Sequence, residues 1–195
     1  MLSAIIATRE SERALARTLA ALVPGATSGV LRDVIVADGG SQDATEDVAD
    51  LAGCRFMKST RSIGERLKAA AATARGPWLM FLRAGAVPGE NWIAAVESFI
   101  ATAERFGKTN HAATFGPEPP VAKPGLAGVL ASMRLAVGRG VRPVQGLLIG
   151  KRFYESIGGH PGGEDAEALL LSRIGRRHVA LLPCPISWTG NRSDT

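Results

Sequence analysis

Two sets of carboxylates stand where chemistry could be done. The first is Asp38, which ends the apolar run Val34-Ile35-Val36-Ala37 and is followed by Gly39-Gly40-Ser41-Gln42-Asp43-Ala44-Thr45. A short β-branched run of this kind reads as a buried parallel strand. Asp38 then falls at the strand's C-terminal end, where open α/β sheets bind their ligands. The glycines let a ligand approach the backbone, and the helix start that follows favours anions. The second set is the adjacent pair Glu164-Asp165, ahead of an apolar helical stretch. A carboxylate within hydrogen-bond reach of a hydroxyl can take its proton. Two acids at a helix start also complement the helix dipole and cap free N–H groups, and both readings stay open. Asp43 and Thr45 read first as helix caps, with a ligand contact as the second reading.

The elements that must position these groups alternate. Strands are expected at 2–7, 33–37, 55–58 and 78–82. Helices are expected from Glu10-Ser11-Glu12 to just before Pro24-Gly25, then at 43–51, 63–75 and 91–105, the last with Asn91 as its cap. This β-α alternation predicts a mostly parallel central sheet with helices on both faces. After Gly107 the pattern is less regular. Strands are expected at 112–115, 144–149 and 178–182, with helical segments at 126–137, 151–156 and 164–174 and a proline-rich loop at 116–124. The chain reads as one domain in two halves, 1–106 and 107–195.

Composition narrows the function classes. The 195 residues carry a formal net charge of +5 and are 46% hydrophobic but only 5% aromatic. The surplus, with a pI near 9.8, suits phosphate-bearing ligands or anionic surfaces. Nucleic acid is not expected, because no basic block is interleaved with aromatic residues. Cys54 and Cys184 form no metal-like spacing and read as buried thiols of a cytoplasmic protein. A strand pattern begins almost at Met1, so no signal peptide is expected, and no apolar run reaches membrane-spanning length. There is no G-x-G-x-x-G after the first strand and no P-loop. The apolar 126–137 segment, with Arg134 and Arg139 nearby, has three readings: a peripheral contact with a membrane or lipid-linked acceptor, a buried helix, or a homodimer interface.

The Asp38 segment resembles the V-D-x-x-S-x-D-x-T stretch of family 2 glycosyltransferases, and the resemblance extends over most of the chain. Ser3-Ala4-Ile5-Ile6-Ala7-Thr8-Arg9-Glu10 looks like the family's opening strand and loop, with Ala7 in place of its proline. Gly64-Glu65-Arg66, ahead of an Ala-rich helix, looks like its third helix. Gly146-Leu147-Leu148-Ile149-Gly150-Lys151-Arg152-Phe153 and Ile157-Gly158-Gly159-His160 resemble its later strand and F-x-x-I-G-G-F turn. Glu164-Asp165 and Arg173-Ile174-Gly175 resemble its E-D pair and the helix after it. The short bacterial members without membrane segments are the most similar. The resemblance implies a GT-A-type fold, a nucleotide-sugar donor, an acceptor that is a saccharide, a lipid-linked or a small molecule, and inversion at the anomeric carbon. It implies Asp165 as the base with Glu164 beside it. Thr8, Glu10, Asp38, Gly39 and Asp43 would bind the donor, with Asp38 at the nucleoside. Arg66 would lie near the phosphates and Gln145 near substrate. His160, just after the Gly158-Gly159 turn, has two readings, an acceptor contact and a surface loop histidine.

One departure bears on cofactors. Family members meet the diphosphate with a divalent metal, Mn2+ or Mg2+, held by an Asp-x-Asp-like motif after the fourth strand. This chain reads Phe81-Leu82-Arg83-Ala84-Gly85-Ala86 there. Gly85 stands at the carboxylate position and Arg83 at another ligand position, and neither offers the side-chain oxygen a hard cation wants. A second carboxylate is missing where related members have G-D-Q-G and this chain has Pro143-Val144-Gln145-Gly146. Arg83 could supply a fixed positive charge instead. The alternative is a non-catalytic relative that binds a nucleotide or glycan without turnover. A nucleotidyltransferase ranks below both, because the loop after the first strand has no glycine.

Overall fold

A computed structural model of the chain describes residues 1–117 and 146–189. The expected helix at 126–137, most of the proline-rich loop, and Gln145 lie outside the described residues. Among the described residues, eight strands form one mixed sheet. In chain order they are β1 (Leu2–Thr8), β2 (Leu31–Asp38), β3 (Arg55–Lys58), β4 (Trp78–Arg83), β5 (Ala86–Pro88), β6 (Ala112–Pro117), β7 (Leu147–Gly150) and β8 (Val179–Trp188). Their spatial order is β3-β2-β1-β4-β7-β6-β8-β5. β3, β2, β1 and β4 run parallel, as does β6 with β8. β7 is antiparallel to both its neighbours, and β5 is antiparallel to β8.

Strand periodicity sends alternate residues to opposite faces. Leu2, Ala4 and Ile6 of β1 pack with Met80 and Leu82 under α1 (Glu12–Thr27), α2 (Thr45–Leu51) and α4 (Trp92–Arg105, numbered after α3). Ile5 and Ala7 face the other way, with Leu79 and Phe81, under α3 (Ile63–Thr73), α5 (Lys151–Ser156) and α6 (Ala166–Ile174). Burying an aliphatic side chain is worth about 1.5–3 kcal/mol, so the two aliphatic layers hold the sheet without many aromatics.

Three of the differences from expectation have a clear physical reason. α1 runs through Pro24 to Thr27. Trp92 packs onto this turn against Gly25 and donates its indole N–H to the Ala21 carbonyl at 3.1 Å, a tertiary contact that holds the turn past the proline. β8 continues past Leu182 to Trp188 despite Pro183 and Pro185. Its register against β6 jumps from Phe115–Leu182 to Gly116–Pro185, a bulge that absorbs two residues where a regular ladder would need amides. β5 was not expected, because three residues are too few to show a period. It pairs Ala86 with Trp188 and so brings Trp188 beside the end of β4.

Candidate functional site

A cleft of about 670 Å³ opens at the C-terminal ends of β1, β2 and β4. Its walls are the start of α3, the loop ahead of α6 and the end of β8.

Asp38 lies beneath this cleft rather than in it. It is 0% exposed. One carboxylate oxygen accepts the Thr8 hydroxyl at 2.9 Å and the Ser41 hydroxyl at 2.5 Å, and the other accepts the Gly40 and Ser41 amides at 2.8 Å each. Burial works to raise its pKa, and the bonds from Ser41, Thr8 and Gly40 more than offset that, holding it below the ordinary carboxylate value. The nucleoside contact expected of Asp38 is therefore not one its own side chain is exposed to make; it shapes Thr8, Gly39 and Gly40, which line the cleft.

Glu10 and Asp43 also serve the backbone. Glu10 sits at φ +48° and its carboxylate accepts the Gln42 and Asp43 amides at 2.9 and 3.2 Å. Asp43 accepts the Glu12 and Thr45 amides, both at 3.1 Å, and the Thr45 hydroxyl at 2.5 Å. One carboxylate thus satisfies free amides at the starts of α1 and α2, the capping reading. Neither Glu10 nor Asp43 is among the residues lining the cleft.

Arg66, 9% exposed, lies where α3 begins. It donates through Nη1 to the Ala37 and Thr8 carbonyls at 2.7 and 3.1 Å, and through Nε to the Arg61 carbonyl at 3.2 Å. Its guanidinium thereby ties together the ends of β1 and β2 while lining the cleft. Burial pushes its pKa down. Asp38 and Glu164 act to raise it, and Arg9 and Arg83 act to lower it. Arg9, Arg61 and Arg83 line the same cleft. Arg9 and Arg61 escaped the sequence reading because they sit in loops with no periodicity to aim them.

Arg83 ends β4 and meets Glu167 of α6: its Nε donates to Glu167 Oε2 at 2.8 Å, and Nη2 donates to the same oxygen. The side chains are 20% and 11% exposed, so the pair is largely shielded. Glu167 was missed, because only the fold brings residues 84 positions apart together.

Glu164 and Asp165 are exposed and line the same cleft as the arginines. Asp165 occupies the N-cap position of α6, yet its side chain makes no capping bond, so helix capping does not occupy its carboxylate. Trp188 lines the cleft as well, and its buried indole N–H has no partner among the described residues. His160 is corrected from a substrate contact to an interior residue: it is 2% exposed, 2.9 Å from the Tyr154 hydroxyl, and edge-on to Phe81 with ring centroids 4.7 Å apart. Burial pushes its pKa down to about 4.

The donor set does not fit a divalent cation at the end of β4. Gly85 offers no side chain, and at φ +95° it occupies backbone space that side-chain-bearing residues rarely adopt. Its N–H is bonded to Thr18 Oγ1 at 2.9 Å and Ala14 O at 3.2 Å, and its carbonyl accepts from Thr189. Arg83 nearby would repel a cation. Among the described residues, no three His, Cys, Asp or Glu side chains are grouped to hold a metal ion.

The model of the family described as glycosyl transferase family 2 matches residues 3–106, and the chain belongs to that family. No curated protein matches it. Among solved structures, it is similar to glucosyl-3-phosphoglycerate synthase from Mycobacterium tuberculosis. The complex of that protein with Mn2+, uridine diphosphate and glucosyl-3-phosphoglycerate is 19% identical, with a TM-score of 0.68 over 100% of this chain and 74% of that one. Its uridine diphosphate complex gives 20% identity and a TM-score of 0.70 over 98% and 73%. A complex with Mg2+ and uridine diphosphate gives 19% and 0.68 over 100% and 73%. At these identities the likeness establishes a GT-A-like α/β fold with a mixed, mostly parallel sheet.

Proposed function

We propose that this family 2 chain transfers a glycosyl group from a nucleotide-sugar to an acceptor hydroxyl with inversion. The observation that carries this reading is one cleft whose lining gathers Arg9, Arg61, Arg66 and Arg83 together with Glu164 and Asp165. Cations at the strand ends suit a diphosphate, whose leaving oxygen gains charge as transfer proceeds. A carboxylate free of capping bonds suits a base. The metal-bound uridine diphosphate complexes of the mycobacterial synthase, which also binds phosphoglycerate, support a nucleoside diphosphate in a fold of this type.

In this reading Thr8 and Gly39 border the nucleoside and the arginines receive the diphosphate. Asp165 takes the acceptor hydroxyl proton as that oxygen attacks the anomeric carbon. The bond from that carbon to the diphosphate oxygen breaks, and its electron pair leaves with the nucleoside diphosphate. A single displacement of this kind inverts the anomeric centre. Glu164 stands beside the base and near enough to Arg66 to act on its charge.

The second reading, nucleotide or glycan binding without turnover, draws on Gly85 in place of a metal-holding carboxylate. Calorimetry with UDP, GDP and their sugar conjugates, paired with a turnover assay, separates the two. The transferase reading expects Asp165→Asn to bind within about twofold of wild type and to lose about 10²- to 10⁴-fold in turnover. Equal turnover in the two proteins would remove Asp165 from the mechanism. Binding by a wild type that turns over no donor would favour the second reading.

A further inference from the structure

We propose that the cleft receives the donor's diphosphate on guanidinium groups in place of a divalent cation, with Arg83 as the contact at the end of β4 and Glu167 as the residue that positions it. The proposal rests on the reading that the ligand is a nucleoside diphosphate.

Three observations converge. The place where a metal would be held offers no oxygen for it: Gly85 has no side chain, and its amide and carbonyl are already bonded to Thr18, Ala14 and Thr189. Beside it a guanidinium lines the cleft and is held on its Nε and Nη2 edge by one Glu167 oxygen. An arginine side chain loses rotamer freedom when it binds a ligand. A shielded carboxylate that has already fixed its plane removes much of that cost. Finally, Arg9 and Arg83 lie close enough to Arg66 to act on its charge. Like charges gathered at one cleft repel in the absence of a ligand, and a dianion relieves that repulsion as it binds.

Glu167 is a positioning residue here. It does not line the cleft, and it comes from α6, the helix that Asp165 begins. The same helix therefore sets both the base and the cation that faces the leaving group.

The test is calorimetric titration of UDP, GDP, UMP and GMP into wild type, Arg83→Lys and Glu167→Gln, each in EDTA and in Mn2+, with thermal unfolding as a check on folding. The expected wild-type result is diphosphate binding that differs less than about twofold between EDTA and Mn2+. Arg83→Lys keeps the charge but loses the fork. It is expected to lower the ratio of diphosphate to monophosphate affinity about 10-fold or more, as for a charged hydrogen bond. Glu167→Gln is expected to lower the same ratio by a smaller factor. That ratio would not move if Glu167 only held α6 to the sheet. Diphosphate binding that requires Mn2+ would overturn this proposal and leave the transferase reading standing. No nucleotide binding in either condition would overturn both. The wild-type arm decides between metal and guanidinium even if a variant fails to fold.

Discussion

Asp38 is buried beneath the cleft, where its carboxylate holds the loop that lines it. Its type and place at a strand end were readable from the run Val34–Ala37, as was the turn after it. Its saturation by Thr8, Gly40 and Ser41 was not, because the Thr8 hydroxyl arrives from a neighbouring strand. Truncation to alanine would leave buried amides without partners. We expect Asp38→Ala to lower stability by roughly 3 kcal/mol and to weaken nucleotide binding through loss of the loop's shape. Urea unfolding checks this: a change below about 0.5 kcal/mol, the range of ordinary surface substitutions, would contradict the buried network. Arg66 and Asp165 were singled out through the resemblance to family 2 glycosyltransferases, and both line the cleft, whereas Glu167, Arg9 and Arg61 depended on tertiary placement. His160 lay beside a glycine turn that resembles a surface loop, and Tyr154 draws it inward.

At the scale of elements, the question is how the loop bearing Asp165 is held at the cleft. The N-terminus of α3 does this. The Gly64 amide donates to the Gly163 carbonyl at 3.3 Å, and the Gly163 amide donates to the Ser62 hydroxyl at 3.0 Å. Glu65 accepts from the Ser62 amide and hydroxyl, fixing the helix start. A Cβ on Gly64 would lie 1.9 Å from the Pro161 carbonyl oxygen and 2.5 Å from the Ala166 Cβ. Gly64→Ala must push the loop away. The expected result is a loss of about 1–3 kcal/mol in stability and a fall in kcat larger than any change in nucleotide affinity. Wild-type kcat in this variant would mean that the α3 contact does not place the base. The long apolar strands and the Ala-rich α3 were visible as periods in the sequence. The continuation of α1 through Pro24, the proline-bearing end of β8 and the short β5 were not, because Trp92 and a bulge against β6 decide them.

At the scale of the molecule, two buried titratable groups make stability depend on pH on the acid side. His160 is held neutral, with its pKa down at about 4. In the unfolded chain it binds a proton near its ordinary value of about 6.5. Between those values the unfolded state binds more protons, so stability rises with pH across this window and falls as pH drops through it. For a shift of this size the change is on the order of 3 kcal/mol. Asp38 adds to the acid limb lower down: its pKa is depressed on folding, so its contribution is present above the unfolded value and is lost as pH falls through the folded one. Unfolding free energies measured from pH 4 to pH 7 should show the His160 slope, and His160→Gln should flatten it. A wild type with constant stability over that range would contradict the buried neutral histidine. The α/β class was legible from alternation in the first hundred residues. The antiparallel insertion of β7 between β4 and β6 was not, since pairing order is set by packing between distant segments.

The central claim is transfer with inversion by a base at Asp165, and it can be tested without knowing the acceptor. Proton NMR can follow the slow hydrolysis of α-linked UDP-glucose, UDP-N-acetylglucosamine and GDP-mannose, with water in the acceptor's place. The account predicts that at least one donor releases its sugar first in the β configuration and that Asp165→Asn abolishes the release. An α product formed first, or release as fast in Asp165→Asn as in wild type, would contradict it.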